Sequence, residues 1–117
     1  GIGGIMTPIK QNYFVSDLIS DLQMNTIIVT GSKIGTMNHL MLTYQHVKEK
    51  NLCLNGFVVN QNVSDGYEAS NLKQQIIDLT GQTVYGTIPY QKSFNIESYV
   101  ENFSNFIDVS SLGFENI

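Results

Sequence analysis

The chain has 117 residues, of which 42% are hydrophobic and only 14% charged, with a formal charge of −4. That length suits a single small domain with one sheet-based core, and the missing charge is made up by Asn, Gln, Ser and Thr, which we read as the mark of an AT-biased genome. Six basic residues against ten acidic ones leave no Lys/Arg-rich face for a phosphate backbone, which excludes a nucleic-acid protein but not a nucleotide-binding one.

No apolar run approaches the roughly 18 residues of a membrane span, and no basic-then-apolar leader opens the chain, so neither a span nor a signal peptide is expected. The lone Cys53 has no intrachain partner. Between Leu52 and Leu54 it reads as a reduced, partly buried thiol of a cytoplasmic protein.

In chain order, the first feature is a glycine cluster, Gly1-Ile2-Gly3-Gly4-Ile5-Met6-Thr7-Pro8. Three glycines in four residues suit a backbone that turns with positive φ or approaches a ligand closely. Such a loop normally follows a strand, and none precedes it here. The cluster is therefore either the scar of a tag or the point where a strand of a larger sheet would enter.

Thr26 to Thr30 is a β-branched run ended by Gly31, the pattern of a parallel strand buried on both faces. After a polar loop from Ser32 to Thr36, a helix is expected from about Met37 to Lys50, with Leu40, Met41, Tyr44 and Val47 on one stripe. Lys48 and Lys50 fall in its last turn, where the helix dipole favours cations. A second strand, Leu54 to Asn60, is followed by a helix from about Tyr67 to Leu79 with Gly81 as its C-cap. A third strand, Val84 to Ile88, stops at Pro89, and a last helix runs from Ile96 to Asp108 ahead of a frayed tail from Ser110 to Ile117. Phe94, Tyr99, Phe103 and Phe106 fall near helical spacing and are expected to pack in the core. Strand, loop and helix repeated three times predict parallel crossovers and an α/β layered fold in one domain over 1–117.

Four segments, in order, carry a resemblance. The glycine cluster matches a G-A-G-G loop followed by an apolar pair and Thr/Ser-Pro, with Ile2 in place of Ala. Gly31-Ser32-Lys33-Ile34-Gly35-Thr36-Met37-Asn38-His39 matches G-x-K-L-G-x-x-N-H. Gly56-Phe57-Val58-Val59-Asn60 matches G-[FWY]-V-x-N, and Gly86-Thr87-Ile88-Pro89-Tyr90 matches G-x-I-P-[YW]. Together they cover most of the chain, which resembles the carboxyl-terminal half of the ATP-dependent dethiobiotin synthetase family, a member of the P-loop NTPase class.

The resemblance implies a three-layer α/β sandwich with a mainly parallel sheet, P-loop NTPase-like, here without its amino-terminal strands and P-loop. It also implies a reaction of biotin biosynthesis. A carbamate formed from CO2 or bicarbonate on one amine of 7,8-diaminononanoate is phosphorylated by ATP with Mg2+, and the second amine closes the ring to dethiobiotin. The catalytic Lys, Thr and acidic metal ligands of that family lie in the amino-terminal half. No G-x-x-x-x-G-K-[ST] occurs in these 117 residues, so no catalytic residue and no metal ligand is assigned here, and the chain alone is expected to be inactive.

By resemblance, Gly3 and Gly4 approach the reacting carbamate, and Gly35, Thr36, Met37 and Asn38 hold the substrate carboxylate at a helix amino end across a homodimer interface. Asn60 reads the adenine edge, and the backbone of Ile88, Pro89 and Tyr90 lines the other side of that pocket. Each has a plainer reading: Asn38 as a helix cap, Asn60 as a turn residue, Pro89 as a strand terminator. His39 and His46, seven apart, do not suit a metal pair, so His39 is expected to support the loop or the dimer contact. Lys33 reads as an exposed loop residue. Alternatives of other classes are a related P-loop ATPase or amidotransferase-type synthase, and a non-catalytic nucleotide-binding domain. A sheet lacking its first strands would present an open edge, over which a partner segment is expected.

Overall fold

A computed structural model describes residues 3–112. Gly1 and Ile2 of the glycine cluster, and the tail beyond Leu112, lie outside the described residues. The centre is a three-stranded parallel sheet ordered β3 (Thr26–Thr30), β4 (Leu54–Asn60), β5 (Val84–Ile88). Helix α2 (Thr36–Glu49) returns the chain from β3 to β4, and α3 (Ala69–Thr80) from β4 to β5. The expected α/β crossovers are therefore present, with boundaries shifted by a residue or two, which is where fraying ends differ most.

One row across the sheet explains the core. Ile28, Phe57 and Val84 are register partners on neighbouring strands, and all three belong to the buried cluster with Leu40, Tyr44 and Val47 of α2 and Leu72 and Ile76 of α3. The stripe expected on α2 is the buried one, with Met41 packed at its margin. Tyr44 lies 6.0 Å from the Phe57 ring, and its hydroxyl donates to Thr80 O at 3.3 Å, so one side chain ties α2 to both the sheet and α3. Gly81 ends α3 in the left-handed conformation expected of a C-cap.

Four expectations are corrected. First, β3 is not buried on both faces: Ile28 and Thr30 are buried but Val29 is 64% exposed. Among the described residues β3 pairs only with β4, and the face that carries Val29 is left open, although the sequence run is suited to full burial. Second, no element is expected before Thr26, yet the chain forms a hairpin of β1 (Pro8–Lys10) and β2 (Tyr13–Phe14), then helix α1 (Val15–Leu22). The two strands are too short to show a period, but Val15, Leu18, Ile19 and Leu22 fall at i, i+3, i+4 and i+7, so α1 carries a clear helical stripe. At its start Asp17 accepts from Phe14 N at 2.7 Å.

Helix α1 docks on the end of α2. Its buried Ser16 Oγ lies 3.1 Å from His46 Nε2, and Asp17 meets Lys50 Nζ at 3.2 Å. The Phe14 amide foremost, and then Lys50, hold the Asp17 carboxyl below the ordinary carboxylate range. Its contribution is therefore present above that range and fades as pH falls through the lowered pKa. The same helix anchors the glycine segment, because Ser16 N donates to Ile5 O at 2.9 Å and Val15 N to Thr7 O at 3.0 Å.

Third, Cys53 is exposed rather than partly buried, because it lies just ahead of β4, outside the sheet. Fourth, the aromatic residues at the end of the chain do not join the core. Helix α4 (Ile96–Phe106) buries no residue, and Phe94 is 67% exposed. What α4 does supply is Ile107, which bridges antiparallel to Gly86, and Asp108, whose N–H donates to Tyr85 O at 2.8 Å. The outer edge of β5 is thereby partly paired. No described helix is long and apolar enough to cross a membrane.

Candidate nucleotide and substrate site

The strands end together at Thr30, Asn60 and Ile88. The loops that follow form the crevice where ligands bind in open α/β sheets, outside the carboxyl ends of parallel strands. One cavity opens there and a second runs along β3; the site residues expected from sequence divide among these, the glycine segment and the loop joining β3 to α2.

The first cavity, of about 350 Å³, is lined by all four residues assigned to the adenine: Asn60, Ile88, Pro89 and Tyr90. They meet because Asn60 and Ile88 are register partners at the strand ends, and Gln61 N donates to Ile88 O at 2.8 Å. The volume is that of a small ligand site. Asn60 is exposed at the end of a strand that is otherwise largely buried. The amide that satisfies loop backbone is Asn62, whose Oδ1 accepts from Ser32 N at 3.0 Å.

Five further residues line this cavity: Gln61, Asn62, Gln91, Phe94 and Tyr99. The two aromatics were concealed by their spacing. Phe94 precedes α4, whose N-cap is Asn95, with Asn95 Oδ1 accepting from Ser98 N at 3.1 Å. Phe94 and Tyr99 are therefore the residue before the cap and the fourth of the helix, and their rings lie 5.4 Å apart. This is a hydrophobic staple, and the cap motif at Asn95 was the available signal for it.

At the other end of the crevice, Gly35 is the N-cap of α2 with φ 98° and no side-chain cap bond. Asn38 does not cap the helix; it stands exposed in the first turn. The amides of Met37 and Asn38 have no partner one turn back within the helix. The Thr36 amide donates to Lys33 O at 3.0 Å, and its hydroxyl lies 3.0 Å from Thr30 Oγ1. Thr36 therefore closes the turn, while Met37 and Asn38 present the helix's positive end.

The second cavity, of about 320 Å³, runs along β3 and is lined by Gly4, Thr36 and His39 among others. Gly3, Gly35, Met37 and Asn38 do not line it. Gly3 and Gly4 hold φ of 96° and 111°, the left-handed region expected of this loop.

The two ends are joined. Ser32, fully buried, donates its N–H to Asn62 and accepts from Tyr67 N at 2.7 Å. The β3–α2 loop is thus fastened to the loop after β4. Lys33 and Asn62 border a smaller recess with His39. Among the described residues no group of three His, Cys, Asp or Glu could hold a metal ion.

The chain belongs to the AAA domain family, whose model matches residues 1–98. Over 112 residues it is 39% identical to the ATP-dependent dethiobiotin synthetase BioD of Nitrosopumilus maritimus, covering 96% of this chain and 49% of that protein. It is 30% identical to the protein of that name from Thermodesulfovibrio yellowstonii, over 96% of this chain and 50% of the relative. With that of Bacillus velezensis it shares 32% identity, over 95% of this chain and 48% of the relative. The resemblance carried by the four motifs thus extends along the chain, which spans about half the length of the curated relatives it matches.

Proposed function

We propose that this chain forms the adenine-reading and substrate-carboxylate-binding part of an ATP-dependent dethiobiotin synthetase, a ligase of biotin biosynthesis. The observation that carries the proposal is the convergence of Asn60, Ile88, Pro89 and Tyr90 on one cavity at the carboxyl ends of β4 and β5. A carboxamide offers a donor and an acceptor side by side, which suits the edge of adenine, and the cavity volume fits a base. ATP supplies the phosphoryl group that activates the carbamate; this chain's share is to seat the base and orient the second substrate. Mg2+ has no matching ligand cluster among the described residues.

In the complete enzyme, acting in the cytoplasm on 7,8-diaminononanoate and CO2 or bicarbonate, the positive end of α2 holds the diamino acid's carboxylate through the backbone amides of Met37 and Asn38 and the exposed carboxamide of Asn38. Gly35 provides the turn that aims them, and Gly3 and Gly4 let backbone approach the carbamate. The enzyme is a homodimer in which each α2 serves the neighbouring site. The chain by itself is inactive, since it has no P-loop motif.

Two experiments test this. Asn60→Ala in the complete enzyme should weaken ATP by about tenfold and narrow its preference over GTP, as expected for a lost edge-reading amide worth about 1–2 kcal/mol. Equal loss of both nucleotides would rule out base reading by Asn60. Asn38→Ala should raise KM for the diamino acid with ATP affinity unchanged. Mixed with an inactive P-loop variant, it should recover part of the activity. A fall in ATP affinity, or no recovery, would remove the cross-subunit assignment.

A further inference from the structure

We propose that Phe94, held in place by Tyr99, is the stacking wall of the first cavity and supplies affinity for the nucleobase that does not depend on which base it is. The inference rests on reading that cavity as the adenine site. Phe94 is 67% exposed yet lines the cavity, and it is not free to wander. Its ring lies 5.4 Å from Tyr99, which lies 5.9 Å from Phe103, and the Asn95 cap starts the helix that carries both partners. Apart from the tyrosine hydroxyls, the remaining polar side chains of the lining are carboxamides: Asn60, Gln61, Asn62 and Gln91.

A flat apolar ring beside amide edges is the pairing that a planar heteroaromatic base requires, with a face to stack on and donors and acceptors to meet its rim. Stacking accepts any base because every base has a π-face, whereas amides discriminate. Phe94 should therefore add affinity common to all bases, and Asn60 the affinity that favours one base over another. A staple alone needs only apolar contact between residues 94 and 99, so a Leu at 94 would preserve the helix start while removing the aromatic face.

The test measures Kd for ATP, GTP and inorganic tripolyphosphate by equilibrium dialysis on the complete enzyme. Phe94→Leu is expected to weaken ATP and GTP alike by about tenfold and to leave tripolyphosphate unchanged, while Phe94→Tyr binds as the parent does. If Phe94→Leu stays within about twofold of the parent while Asn60→Ala narrows the ATP preference, the stacking wall is overturned and the adenine cavity stands. If neither substitution alters ATP binding, the cavity assignment fails as well. Equal weakening of tripolyphosphate would mean that Phe94 acts through folding, which also overturns the inference.

Discussion

Replacing Phe57 by Ala is expected to cost about 3–5 kcal/mol of folding stability, the largest loss from any single core truncation in this chain. Phe57 is fully buried at the middle of the central strand. Its register partners are Ile28 and Val84, and the Tyr44 ring packs 6.0 Å away. Removing the ring would empty space that both strands and α2 border. Because Phe57 sits on the sheet's central strand, its neighbours could close the gap only by shifting whole elements. A domain is stable by only about 5–15 kcal/mol, so the variant should lose a large share of its margin. Phe57→Leu, which keeps most of the volume, should cost less than about 1.5 kcal/mol. Leu42→Ala, at a side chain 59% exposed on α2, should stay within about 0.5 kcal/mol. Urea midpoints of the three variants check the order. A Phe57→Ala loss no larger than that of Leu42→Ala would show that the core is not centred on this row.

That row was legible in the sequence because its signals are local. The stretches Thr26–Thr30 and Leu54–Asn60 are apolar enough to mark strands, and Leu40, Tyr44 and Val47 repeat with the helix. Burial on the sheet's second face was not legible. The composition of β3 is suited to two covered faces, but what covers a face depends on segments distant in sequence, and Val29 is exposed among the described residues. The hairpin was not legible, since three-residue and two-residue strands carry no period, whereas α1 was legible in Val15, Leu18, Ile19 and Leu22, which repeat with the helix; what its sequence does not encode is the tie from Ser16 and Asp17 to α2.

The candidate site was legible where strands end. Asn60 and Ile88–Pro89–Tyr90 stand at strand termini, where parallel topology places ligands, and they share a cavity. Phe94 and Tyr99 were misassigned because a staple and a core stripe look alike in spacing. Only the helix start at Asn95 separates the two, and it turns an expected core residue into a cavity wall. The tie from Ser32 to Asn62 spans thirty residues, and no local pattern encodes it.

That tie makes Gly66→Ala the second substitution of large effect. A Cβ on Gly66 would lie 2.0 Å from Ser32 O and 2.8 Å from Val63 Cγ2. Ser32 cannot simply retreat, because its carbonyl accepts from Tyr67 N at 2.7 Å and its amide is held by Asn62. Relief therefore requires the β3–α2 loop to move away from the loop after β4, breaking one or both bonds. Overpacking of this kind costs about 1–3 kcal/mol, less than the loss at Phe57, but the displacement falls on the loop that ends at Gly35 and aims the amides of Met37 and Asn38. A misplacement of about 1 Å in such a positioning element can lower kcat/KM by roughly a hundredfold. In the complete enzyme, Gly66→Ala should thus lose kcat/KM for the diamino acid far beyond what its melting temperature suggests. ATP affinity should change less, since Asn60, Ile88 and Pro89 are set by the strand pairing of β4 and β5. Parent-like kinetics would mean that the two loops are not mechanically joined. A loss confined to ATP would mean instead that Asn62 transmits the strain into the first cavity, which it also lines.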